Sequence, residues 1–407
     1  MQFVVRRGMH KRAMLLASTT LAMLAAPAVD SRGTAAVAAT TLPPPITAVV
    51  HTIGAKEGDF FLAPQGQHAT YANGPEIVTG GGKLVWFKDI PAPDVAKNLR
   101  VQTYHGQQVL TWWQGHATQG SPDGIGVIAD AAGNTIATVN GSGLYPNEGH
   151  DFVLFDDGDK ALITEHQFAT ADLTSIGGPS NQAVMNCVIE EIDVSTGQVL
   201  FSWNSADHVP FSQSHTPLPA SAATKWDWFH LNSVDVMKNG NFLVSGRKTW
   251  AAYAINSTTG NVLWTLGGNN STYQLDAAAG QHLDDAGEIF AWQHDARALG
   301  GDRYSFFDNE GIAGQPSLYP NSRGVVVQIN RTTKTATLIR SYDQPDHQIT
   351  LAEGNMQTLP NGRVVIGWGT VPSFSEFAAS GAVLDHFTFP DGVDTYRVFR
   401  SPWPPAA

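Results

Sequence analysis

The run Ile192-Asp193-Val194-Ser195-Thr196-Gly197-Gln198-Val199-Leu200-Phe201 packs a strand, a turn and a second strand into one short phrase. It returns as Ile255-Asn256-Ser257-Thr258-Thr259-Gly260-Asn261-Val262-Leu263-Trp264. It returns again, degraded, as Ile329-Asn330-Arg331-Thr332-Thr333-Lys334-Thr335-Ala336-Thr337-Leu338. The Asp/Asn-x-x-Thr-Gly core is a turn between β-branched strands, so each copy reads as a hairpin. A chain that repeats one hairpin at long intervals is a repeat architecture.

A second phrase opens each unit: a strand, a polar turn with glycine, then an apolar strand. It runs from His150 through Gly158 to Ile163, from His230 through Asn239-Gly240-Asn241 to Val244, from His294 through Gly300-Gly301 to Phe306, and from Asn355 through Asn361-Gly362 to Ile366. Residues 58–87 and 100–139 carry weaker hairpins of the same kind. Two hairpins make a four-stranded unit of roughly 60–75 residues, the size of a propeller blade, and about six such units fit. The expected fold is all-β: a six-bladed β-propeller over residues 51–407, with its active site in the central channel. A short helix in a loop is expected at Asp276 to Asp285.

Composition narrows the classes further. The chain has 407 residues, 40 of them glycine, only 15% charged residues and a net charge of −12. Low charge argues against a coiled coil or a disordered chain, and the acidic balance argues against nucleic acid as partner. The lone Cys187 excludes an internal disulfide framework and a cysteine-rich zinc module. Residues 1–28 read as a secretory signal: Arg6, Arg7, Lys11 and Arg12 precede an apolar stretch, and Ala26-Pro27-Ala28 supplies small residues for cleavage. Arg6-Arg7 fits a twin-arginine signal loosely. Export to a periplasmic, cell-envelope or extracellular location is expected, with no membrane span after cleavage. Residues 29–50 read as a flexible leader.

Three opening phrases begin with histidine. In a propeller the first strand of each blade lines the channel, so equivalent positions face a common axis, and His150, His230 and His294 converge there. Asn232 lies two residues beyond His230, on the same strand face. Arg247 ends the return strand of that hairpin and Asn309 the return strand after His294, while Arg323 opens the next hairpin. Trp226, Trp228 and Trp292 flank these strands as candidate walls of an aromatic pocket. Cationic and neutral donors gathered in an acidic protein suggest a bound anionic group. Neutral imidazole is a competent nucleophile near neutral pH. Three histidines also suit zinc. However, no His-x-His or His-x-x-x-His spacing occurs and the arginines repel a cation, so neither a metal nor another cofactor is expected.

At these residues the chain resembles the arylsulfotransferase family of six-bladed propellers. The matching phrases are His150-Asp151, Trp226-Asp227-Trp228-Phe229-His230-Leu231-Asn232-Ser233-Val234, Ser245-Gly246-Arg247, Trp264-Thr265-Leu266-Gly267-Gly268, Trp292-Gln293-His294-Asp295, Phe307-Asp308-Asn309, Ser322-Arg323 and Gly367-Trp368-Gly369. The resemblance implies transfer of a sulfuryl group from an aryl sulfate to a phenol, without a nucleotide donor. His294 matches the histidine that becomes sulfohistidine. His230 and Asn232 match contacts to the sulfuryl or phenol oxygens, Arg247 the arginine that holds the sulfate, and His150 the histidine on the opposite wall. Trp228, Trp292, Asn309 and Arg323 are the remaining candidate substrate contacts. Better-studied relatives carry an N-terminal β-sandwich domain and a disulfide, for which this chain has neither the residues nor the cysteines. They also place a last-blade threonine near the site, for which Thr358 is the candidate substitute. The competing readings are a non-catalytic ligand-binding propeller, a sulfate-ester hydrolase, and a quinoprotein-like dehydrogenase suggested by the tryptophan-ended repeat at 254–264.

Overall fold

The computed structural model describes residues 42–52, 58–66, 71–116 and 123–403. The expected signal at 1–28 and most of the expected leader lie outside the described residues. Six sheets form the blades of a propeller, numbered one to six: 59–87 with 393–401, 94–139, 147–204, 231–266, 274–277 with 294–343, and 355–388 with 47–51. The quoted phrases fall where the repeat reading puts them. The opening phrase joins the two innermost strands of blades three to six, for example Asn147–Phe155 with Lys160–Ala171 and His294–Gly300 with Arg303–Asp308. The Asp/Asn-x-x-Thr-Gly phrase joins the next two strands outward, Gln182–Asp193 to Val199–Asn204 and Ala251–Ile255 to Val262–Leu266.

The turn chemistry explains that phrase. Asp193 Oδ1 accepts from the Thr196 amide at 2.8 Å, and Asn256 Oδ1 from the Thr259 amide at 2.8 Å. The fifth residue then takes a left-handed backbone, Gly197 at φ 71° and Gly260 at φ 74°. In the degraded copy Asn330 Oδ1 still accepts from the Thr333 amide, but Lys334 holds that conformation at φ 56°. Left-handed backbone costs a side-chain-bearing residue about 1–2 kcal/mol, partly offset because glycine loses more entropy on folding. The Lys334 ammonium also lies 5.8 Å from the Tyr273 ring centre, a contact that glycine gives up. Lys334→Gly is therefore expected to raise stability by about 0.5 kcal/mol, seen as a higher urea midpoint with an unchanged slope.

Apolar residues alternate along the strands so that each blade presents one face to each neighbour. Phe60 and Leu62 pack with Phe374 and Phe387 of blade six, while Phe61 and Ala63 pack with Leu110 and Trp112 of blade two. A separate buried cluster fills every seam between adjacent blades. Full burial of a side chain such as Phe60 or Leu62 is worth roughly 1.5–3 kcal/mol.

The ring is closed twice. Val393–Ser401 is the innermost strand of blade one, paired with Asp59–Gly66. Thr47–His51 is the outermost strand of blade six, paired with Val383–Thr388. The leader drawn to residue 50 is thus too long, because its last four residues join the sheet and cover an open edge. Asp276 to Asp285 is not helical: Gln274–Ala277 pairs in parallel with Thr335–Asp343, and turns follow. No described helix is long and apolar enough to cross a membrane.

Candidate active site

On the inner strands, His150 of blade three and His294 of blade five are each followed by an aspartate, Asp151 and Asp295. The carboxylates form a buried ionic belt. Asp151 bridges Arg100 at 3.1 Å, Arg297 at 2.7 Å and Arg397 at 3.2 Å, and Asp295 also meets Arg297 at 2.7 Å. Burial alone would raise the Asp151 carboxyl, but the three arginines outweigh it and hold it well below the usual carboxylate range. This belt ties blades one, two, three and five to one another.

His294 is buried and fixed in a single tautomer. Asn309 Nδ2 donates to the carbonyls of Thr350 and Glu353, both at 3.0 Å, which turns Asn309 Oδ1 toward the imidazole. Nδ1 of His294 must then carry the proton, donated to Oδ1 at 2.7 Å. Nε2 keeps its lone pair and accepts from the Glu353 amide at 3.2 Å. Burial first, then the Arg247 guanidinium, holds the His294 pKa well below 6.5. Arg247 donates through Nε to the Trp292 carbonyl at 3.3 Å and through Nη2 to the Leu351 carbonyl, and its own amide donates to the His230 carbonyl at 3.0 Å.

His230 is oriented by a partner that the repeat reading did not single out. Its Nδ1 donates to Asp227 Oδ2 at 2.6 Å, which also accepts from Lys248 Nζ at 2.7 Å. Burial pushes the Asp227 carboxyl up, and His230 and Lys248 reverse this and hold it well down, so it is an anion. Burial lowers the His230 pKa in spite of Asp227. The His150 ring stands edge-on to the His230 ring, centres 5.0 Å apart, with its Nδ1 against the Glu148 carboxylate.

The structure brings His150, His230, His294, Arg247, Asn309 and Trp292 together. Asn232 joins them by bridging blades four and five, its Nδ2 donating to the Gln293 carbonyl at 2.6 Å. Three candidates lie elsewhere. Arg323 is fully buried, with its guanidinium on Asp308 at 2.9 Å, Glu310 at 3.0 Å and the carbonyls of His282 and Ile289. Those bonds use the donors that a sulfate would need. Trp228 is blade core: its Nε1 donates to Asn186 and its ring packs 4.6 Å from that of Phe211. Thr358 ends its strand opposite Val364 and lines a separate cleft with Arg100, Leu299 and Ser401.

Sequence reasoning missed several neighbours. Glu353, at φ 65°, and Gly354, at φ 98°, turn the chain over His294, and a Cβ at Gly354 would stand 2.3 Å from the Phe307 ring. Burial raises the Glu353 carboxyl, against the pull of Lys97, Arg247 and Arg397. Tyr396 arrives on the closing strand, its ring 5.9 Å from that of His150. Trp250 packs edge-on to Trp292 at 5.2 Å and stacks on His215 at 3.7 Å, extending the aromatic wall. The signal for Asp227 was present, three residues before His230 in a phrase already quoted.

Five non-glycine residues around the site hold left-handed backbone: His230, Trp250, Trp292, Asp295 and Glu353, at φ 50° to 65°. Such conformations cost of order 1–3 kcal/mol each and persist only where the surroundings fix them.

Solved structures of other proteins resemble the chain at low identity. A Bacteroides caccae protein of unknown function is 12% identical, with 84% of this chain and 98% of that one covered and a TM-score of 0.46. A periplasmic gluconolactonase of Pseudomonas aeruginosa is 9% identical, with coverage of 85% and 99% and a TM-score of 0.46. A Lactobacillus plantarum protein is 10% identical, with coverage of 84% and 98% and a TM-score of 0.44. No curated protein sequence matches the chain. The family model for arylsulfotransferase (ASST) matches residues 100–389, which include His150, His230, Asn232, Arg247, His294, Asn309 and Arg323. The chain therefore belongs to the arylsulfotransferase (ASST) family.

Proposed function

We propose that the protein moves a sulfuryl group from an aryl sulfate to a phenol in two displacements, with His294 as carrier. The observation that supports this most is the fixed tautomer of His294, which leaves an Nε2 lone pair beside the Arg247 guanidinium. In the first displacement Nε2 attacks sulfur. The sulfur–oxygen bond to the aryl group breaks, its electron pair goes to the aryl oxygen, and that oxygen takes a proton from His230. In the second, His230 takes the proton of an acceptor phenol whose oxygen attacks sulfur. The sulfur–nitrogen bond breaks and its pair returns to Nε2. Splitting one hard displacement into two easier ones is the gain of covalent catalysis.

The other groups follow from charge. Asp227 stabilises the imidazolium of His230 in each cycle, and a bound sulfate anion favours that protonated form. Arg247 donates to the sulfuryl oxygens. The Glu353 amide, displaced from Nε2 by sulfur, is a further donor. Trp250, half-buried and backed by Trp292, presents ring surface for the aryl group. The protein works as an exported enzyme, delivered by the signal-like N-terminus.

Incubation with 4-nitrophenyl sulfate, with and without added phenol, tests the reaction class. Nitrophenol release that rises with phenol supports transfer. Release that phenol leaves unchanged, with free sulfate as product, identifies a hydrolase, and no release removes the enzymatic reading. The pH dependence has a definite sign. An ordinary imidazole is half-protonated at about pH 6.5 and loses nucleophilicity there. His294 is held well below that value. The amplitude of the nitrophenol burst should therefore be the same at about pH 8 and at about pH 6.5, as a quenched-flow series would read.

A further inference from the structure

We propose that Glu148, His150 and His166 form a binding site for one divalent transition metal of the zinc class. One donor atom from each lies within 4.8 Å of the other two. Glu148 and His150 come from the inner strand of blade three, and His166 from the strand paired to it. The absent His-x-His spacing does not exclude such a group, because its donors come from both strands of a hairpin. A register shift between Ile163 and Glu165 sets His166 beside this end of the inner strand, its amide bonded to the Pro146 carbonyl.

The second observation is His166 itself. It is 5% exposed, and neither Nδ1 nor Nε2 has a hydrogen-bond partner. A buried imidazole ordinarily satisfies at least one nitrogen, so two orphans in one ring call for a partner. Nε2 of His166 stands 4.0 Å from Glu148 Oε2, and that same oxygen meets His150 Nδ1. A tetrahedral metal with bonds of about 2.0–2.1 Å holds its donors about 3.4 Å apart, so small side-chain rotations that bring His166 toward Glu148 and open the Glu148–His150 contact suffice.

The surroundings set the chemistry. Two imidazoles and one carboxylate suit zinc, cobalt, nickel or iron rather than calcium or magnesium, which take oxygen ligands. Asp227 adds negative charge near His166, while Lys97, Lys225 and His230 add positive charge. Lys97 faces Glu353 and Asp394, which offset its charge. His150 is shared with the candidate active site, but the test reads metal uptake and not turnover, so its outcome is separate from that of the sulfuryl reading.

The test uses the full chain, stripped with a chelator and titrated with cobalt(II), and needs no activity readout. Uptake of one equivalent with the intense visible bands of low-coordinate cobalt, and displacement by zinc, is the expected result. Glu148→Gln and His166→Phe should each weaken binding by more than the roughly 100-fold that loss of a supporting group costs, while exposed His347→Ala leaves it unchanged. Paramagnetically shifted ring protons from two histidines in the loaded wild type make the same assignment if a variant does not fold. No stoichiometric cobalt in the wild type, or undiminished binding in both folded variants, overturns the proposal.

Discussion

His294→Asn should fold, still bind an aryl sulfate, and turn over about 10⁴-fold more slowly or worse, because a covalent carrier cannot be replaced by its neighbours. The imidazole is buried, so the smaller side chain leaves a gap, and a stability loss of about 1–3 kcal/mol is expected with it. A circular-dichroism melt separates this loss from the kinetic one. Wild type mixed with donor alone and quenched in base should carry an adduct of about 80 Da on the His294 peptide, the mass of one sulfuryl group, and the variant none. An adduct on His230 or His150 would move the carrier and keep the reaction. Full activity in His294→Asn would end the two-step mechanism.

Asp227→Asn is the second large effect, expected to lower turnover by about 10²–10⁴-fold with little change in donor binding. The carboxylate fixes Nδ1–H on His230 and balances the imidazolium that forms in each cycle. The amide can do the first in only one of its two orientations, and cannot do the second. Lys248 also loses its counter-ion. The loss should grow with the basicity of the leaving phenol, since a nitrophenolate departs without a proton and an alkylphenolate does not. A series of donors with different leaving groups measures that slope. A loss equal for all donors would mean that Asp227 supports the fold around His230 and has no part in proton transfer.

The sequence exposed the parts of this protein that repeat. Three copies of one hairpin and four of another were enough for the blades, because turn chemistry and strand alternation are local. They also aligned His150, His230 and His294, which share a place in the repeat. What escaped notice breaks the repeat. Tyr396 and Arg397 reach the channel on a strand borrowed from the far end of the chain. Lys97 sits where the inner strand of blade two bulges. Glu353 lies in a left-handed turn before its blade begins. Arg323 follows the repeat and still misled, because position fixes where a strand starts and not what its side chain meets, and Asp308 and Glu310 meet it first. Thr358 sits at the far end of a short inner strand whose first residue, Asn355, is the one bonded to Val398 of the closing strand.

The double closure has a consequence for when the enzyme comes alive. Ala63 bonds Thr395 across 332 residues of chain, and Arg397 threads the ionic belt only once that pairing exists. A chain made only as far as its middle blades can stack them, yet lacks the wall that carries Tyr396. Such long-range pairing is slow to form. The channel is thereby left incomplete in any copy that has not yet made its closing strand. If the protein is exported as proposed, a route that threads unfolded chains assembles the channel only at the destination, whereas one that carries folded cargo moves a finished channel through the cell.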